Sequence, residues 1–182
     1  MISSVDLFAV AGDGIRRESS AAALSRAVST LYYSLFHALL ETARSRVAEC
    51  TNEKLLQHYI ASFDHIALKD VALQVGAAAE PSLRKKLKGG SLAPWTTLLT
   101  KHPTDEDRRQ PSAELLTLCE TFAKMQQLRH QADYHPEWAV TFEEAERYQE
   151  EVGNALSAWR SIQNTDEAIV FLFAALGILK FR

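Results

Sequence analysis

Residues 21 to 49, "AAALSRAVSTLYYSLFHALLETARSRVAE", constrain the fold most. Leu24, Val28, Leu31, Leu35, Leu39 and Thr42 recur at the i, i+3, i+4, i+7 spacing that places them on one face of an α-helix. Tyr32, Tyr33, Phe36 and Leu40 supply a second apolar face, so this helix has to be packed on two sides. Ser19 or Ser20 is placed to cap its start. At about 1.5 Å per residue it spans about 40 Å, enough for the spine of a bundle.

The rest of the chain follows the same period. "TNEKLLQHYIASFDHIALKDVALQVG" predicts a helix through Leu55, Tyr59, Phe63, Ile66, Val71 and Val75, with Thr51 or Asn52 as its cap and Gly76 as its stop. Residues 81 to 111 hold Pro81, Gly89, Gly90, Pro94, Pro103 and the charged "TDEDRRQ", and read as an irregular insertion. Ser112 then caps a helix with the stripe Leu115, Leu118, Phe122 and Met125. Thr141 and Glu144 have capping-box spacing ahead of Phe142, Ala145, Tyr148, Val152, Leu156, Trp159 and Ile162. A short final helix is expected to start between Asn164 and Asp166. No run of strands and no internal repeat interrupts this, so the expectation is an all-α bundle of about five principal helices. It forms one domain over residues 1 to 182, in which 51 to 111 are an extra helix plus the insertion.

Composition bounds the function. A content of 47% hydrophobic and 24% charged residues is that of a soluble globular protein. A formal net charge of −3 argues against a globally basic nucleic-acid binder, though not against a local basic site. Cys50 and Cys119 have no CxxC partner, so two buried thiols in a reducing, cytoplasmic setting are expected. "MISSVDLFAVAGDG" lacks the basic and apolar regions of a secretory signal. The longest apolar run, "AIVFLFAALGIL" at 168 to 179, is well short of the roughly 20 residues of a membrane span, and reads as a buried or interface helix.

The densest chemistry is "LRHQADYHP" at 128 to 136. Arg129 continues the apolar stripe of Leu115 to Met125, and a guanidinium there has to meet a carboxylate, a ligand or a wet interface. Asp133, four positions on, can pair with it along the helix. In one continuous helix Arg129 and His135 would lie about 240° apart and could not cooperate. His135 precedes Pro136, however, and a residue before proline is pushed out of the helical region, so the helix is expected to end first and the turn to bring the imidazole back. An arginine that holds phosphate beside a histidine that moves protons near neutral pH suffices for metal-free RNA cleavage by the ribose 2′-hydroxyl.

These residues resemble the HEPN superfamily (higher eukaryotes and prokaryotes nucleotide-binding), helical bundles marked by an arginine, a polar residue and a histidine a few positions later. "RHQADYH" supplies Arg129, His130 and His135. One branch carries an aromatic-rich early helix like "LYYSLFHALLETA" at 31 to 43, an "R..ADY" helix end like 129 to 134, and a capped "EEA" helix like "TFEEAERY" at 141 to 148. The blocks agree in order and separation. Residues 51 to 111 exceed what compact versions of the fold need, and many members of this branch lack the histidine and are suspected to be non-catalytic. The resemblance implies a homodimeric, cofactor-free endoribonuclease with paired motifs across the interface. His135 would transfer protons, Arg129 clamp phosphate and His130 help to orient them, with Asp133 and Tyr134 in support. It also implies a toxin or defence role, with a small nucleotidyltransferase-like antitoxin or a larger protein as partner. The alternatives are a non-catalytic adaptor or nucleotide-binding module of the same fold, or an accessory subunit docking through its apolar C-terminal helix.

Other clusters are weaker. His130, Asp133 and His135 spell HxxDxH, but three ligands this close across a breaking helix converge poorly on a metal. His58, Asp64 and His65 read as surface or packing residues, and His37 as a core-edge histidine. Arg84, Lys85, Lys86 and Lys88 in "LRKKLKGG" are candidates to steer an RNA backbone, against a plain solvated loop. The adjoining glycines lack the strand, helix and lysine context of a phosphate loop.

Overall fold

A serine pair opens the fold. In a computed structural model that describes residues 3–46, 57, 61, 63–87, 89–100 and 110–177, Ser3 and Asp6 form a capping box that starts helix α1, Ser4–Gly14. The sequence periodicity does not announce this helix. Ser4 fixes it to its neighbour, because its backbone N–H and its hydroxyl both donate to the Glu41 carboxylate at 2.7 Å.

That neighbour is the expected spine, α2, Ala21–Ser45, capped by Ser20 through the N–H of Ala23. Every residue of its predicted stripe from Leu24 to Thr42 is buried, as are Tyr32 and Phe36 of the second face. The helix is described to Ser45, with Arg46 as its C-cap, and residues 47 to 49 of the expected span lie outside the described residues. Near that end Thr42 and Ser45 return their hydroxyls to the carbonyls of Ala38 and Thr42, a local pairing that competes with helix continuation. The Arg46 side chain turns to the carbonyl of Gln163 and to Asn164 Oδ1.

Helix α3, His65–Ala79, departs from the expected span. Asp64 accepts from the N–H of Ile66 and so starts a helix at His65, whereas the expected caps Thr51 and Asn52 lie outside the described residues. Gly76 is not the stop: the helix continues to Ala79, and Pro81 opens a 3-10 turn, Pro81–Lys86. The new start also sets the helical phase. Leu68, Val71, Ala72 and Val75 face the core, and Ile66, expected on the apolar face, is 66% exposed.

The insertion contains a second 3-10 turn, Pro94–Thr96, running into a one-turn helix α4, Thr97–Thr100. Gly89 and Gly90, at φ of 85° and 69°, make a bend that a side chain would strain. Residues 101 to 109 lie outside the described residues.

Helix α5, Ala113–Tyr134, follows its Ser112 cap and buries Leu115, Leu118, Phe122 and Met125. Helix α6, Phe142–Ile162, begins with the expected Thr141–Glu144 capping box. Helix α7, Asp166–Ala175, starts from Thr165. Its Phe171 and Leu172 are buried in the chain's own core, with Phe171 against Trp159, so the described part of the apolar C-terminal run packs on this chain. Glu167 accepts the N–H of Ser112 at 2.7 Å and joins the start of α7 to the start of α5. The layers pack as an all-α bundle: α2 contacts α1, α5 and α6, and α3 lies on α5. Among the described residues no strand occurs and no helix is long and apolar enough to cross a membrane.

Candidate functional site

Pro136 sets the geometry. Helix α5 ends at Tyr134, and His135 stands at φ −118° and ψ 93°, extended as a residue before proline should be. Its N–H still returns to the carbonyl of Gln131 and its carbonyl accepts from Trp138, so the turn is held at both sides. The imidazole swings back along the helix, with its ring 5.7 Å from that of His130.

Arg129 continues the buried stripe one turn beyond Met125, its side chain 22% exposed. Its Nε lies 2.6 Å from Asp133 Oδ2, which realises the i, i+4 pair expected from the sequence. Nε makes no aligned hydrogen bond, so this contact is one of charge. Nη2 donates to Tyr33 Oη at 2.8 Å. The guanidinium also lies over the rings of Tyr33 and Tyr134, at 5.5 and 5.6 Å. Burial works against its charge, but the Tyr33 hydrogen bond and the Asp133 carboxylate outweigh burial and hold it above the ordinary arginine range. Asp133 is itself fixed, since Ser29 of α2 donates to its Oδ1 at 2.9 Å. The cation is therefore permanent and its position rigid.

Two clefts meet at this helix end. The first, about 870 Å³, lies between α3 and α5 and is lined by Arg129, His130, Tyr134 and His135 together with His65 and Lys69. The second, about 790 Å³, lies against α2 and is lined by Arg26, Ser29, Tyr33, Asp133 and Trp138. His135 belongs to both. Tyr134 is 61% exposed and stands 5.0 Å from the ring of His130, at the rim of the first cleft beside exposed Ile66.

His65, which the sequence left as a surface or packing residue, lines the first cleft. Its Nδ1 is 2.5 Å from Tyr32 Oη, its ring stacks on Phe36 at 4.0 Å, and its carbonyl accepts from Gln126 of α5 at 2.8 Å. Burial, followed by the Arg129 charge, lowers its pKa below the ordinary imidazole value. Burial likewise raises that of the Tyr32 hydroxyl.

The remaining candidates separate. Arg84 and Lys85 are exposed on the 3-10 turn at the C-terminal end of α3 and line neither cleft. Lys88, the Lys86 side chain, His58 and Cys50 lie outside the described residues. His130 and Asp133 face different clefts, and among the described residues no three His, Cys, Asp or Glu side chains gather as metal ligands would. Cys119 is buried, and burial lifts its thiol well above the ordinary range. No family model, curated protein or solved structure matches this chain.

Proposed function

We propose that the chain is a metal-independent endoribonuclease of the HEPN type. The observation that carries this reading is the fixed cation Arg129, set in an apolar stripe, opening with His130 and His135 onto one cleft. In the reaction a ribose 2′-hydroxyl attacks the adjacent phosphorus and the P–O5′ bond breaks, leaving a 2′,3′-cyclic phosphate and a 5′-hydroxyl. Arg129 supports the negative charge that builds on the phosphoryl oxygens. His135 moves the proton between the 2′-oxygen and the leaving 5′-oxygen, and His130 positions it by ring contact. The exposed apolar rim of Ile66 and Tyr134 suits a second copy, which would bring a paired motif to the cleft, and a toxin or defence role with an antitoxin partner accords with such an activity.

One observation favours the alternative of a non-catalytic adaptor or nucleotide-binding module. Arg129 already spends Nε on Asp133 and Nη2 on Tyr33, so a purely structural arginine would look the same. The test is cleavage of single-stranded RNA by purified protein in EDTA. Wild type is expected to cleave and His135→Ala to lose activity with its melting temperature and sedimentation unchanged. Equal cleavage by both, or none by wild type, moves the assignment to the adaptor.

A further inference from the structure

We infer that His65 is a second phosphate-binding group of the cleft, donating a hydrogen bond from Nε2 to a phosphoryl oxygen held beside Arg129. This deepens the ribonuclease reading and rests on it for the nature of the ligand, a phosphodiester.

The argument begins with Tyr32. Its side chain is fully buried, and a buried hydroxyl proton needs an acceptor. Among the described residues its one hydrogen-bond partner is His65 Nδ1. With Nδ1 accepting, the imidazole carries its hydrogen on Nε2. Nε2 makes no hydrogen bond to the described residues, and the half-buried ring lines the cleft between α3 and α5, where a ligand can meet it. The ring cannot turn away: it is stacked on Phe36, edged by Tyr33 at 6.1 Å, and its backbone is tied to α5 by Gln126. Arg129 lines the same cleft from α5, and after burial its charge lowers the proton affinity of His65. A neutral donor there adds to the arginine's hold on an anion without adding a second charge to the empty site. The sequence offers no local pattern for this pairing, because Tyr32 and His65 stand 33 positions apart.

The two imidazole nitrogens can be replaced separately. His65→Asn keeps an acceptor for Tyr32 near Nδ1 but removes the Nε2 donor, and His65→Gln keeps a donor near Nε2. Binding of an uncleavable 2′-O-methyl oligoribonucleotide is measured by titration calorimetry on the full chain, alongside RNA cleavage. His65→Asn is expected to bind about tenfold more weakly than wild type, and His65→Gln to stay within about threefold. Equal binding by wild type and His65→Asn, or no binding by wild type, overturns the assignment whether or not RNA is cleaved. Binding that depends on His65 without cleavage of RNA upholds the assignment and removes the ribonuclease reading. Nitrogen-15 NMR of unsubstituted protein gives an independent check. A neutral His65 protonated on Nε2, whose resonance shifts with the oligonucleotide, is expected, and a ring protonated on Nδ1 overturns the inference.

Discussion

His65 pays for its position in acid. Tyr32 and His37 face it from α2, Asp64 from the start of its own helix, and Arg129 from α5. Burial and Arg129 hold its folded pKa below the value of 6.5 it takes when unfolded. As pH falls below about 6.5 the unfolded chain binds the proton first, so stability falls until the folded pKa is passed; above about 6.5 this contribution is intact. Replacing His65 with Gln removes the effect. The melting temperature of the variant should therefore drop less than that of wild type between about pH 7.5 and about pH 5.5, and equal drops would contradict the assignment of the burial cost to this ring. Arg129 and Asp133 could be paired from the sequence because four positions along a helix is a local relation. His65 could not be placed this way. Its partners are Tyr32 and Gln126, and no local pattern encodes contacts over 33 and 61 positions.

At the level of elements, cap residues and periodicity locate α2, α5, α6 and α7 within a few residues. They fail where two signals compete. In α3 the apolar period runs through Phe63 and Ile66, but the Asp64 carboxylate caps the chain locally and rotates Ile66 outward. In α1 the apolar spacing is weak, and it is the Ser3–Asp6 capping box and the Ser4–Glu41 bonds that define it. The end of α5 was legible because the conformational rule for a residue before proline is local. Its consequence can be measured. Pro136→Ala lets α5 continue through His135 and carries the imidazole about 100° round the helix per added residue. RNA cleavage should then fall about a hundredfold while the melting temperature stays near that of wild type, since misplacing a catalytic group costs rate rather than folding energy. Unchanged cleavage would separate His135 from the reaction.

For the whole molecule, α2 is the common wall against which α1, α5 and α6 all pack. Leu35 lies at its centre and is fully buried. Leu35→Ala leaves a void there and should cost about 2 to 5 kcal/mol in urea unfolding, a large share of the roughly 5 to 15 kcal/mol that stabilises a domain. A cost below about 1 kcal/mol would mean that the bundle can close around the void. The site inherits its rigidity from this wall, because Ser29, Tyr32 and Tyr33 of α2 hold Asp133, His65 and Arg129 in turn. The three tryptophans divide between these regions. Trp95 and Trp159 are buried, and Trp159 donates its indole N–H to Thr42, whereas Trp138 is only half-buried and is bonded to the turn at His135. The molecule thus has two optical channels: emission that a soluble quencher barely reaches, reporting on the bundle, and emission it quenches more readily, reporting on the turn that carries His135 between the two clefts.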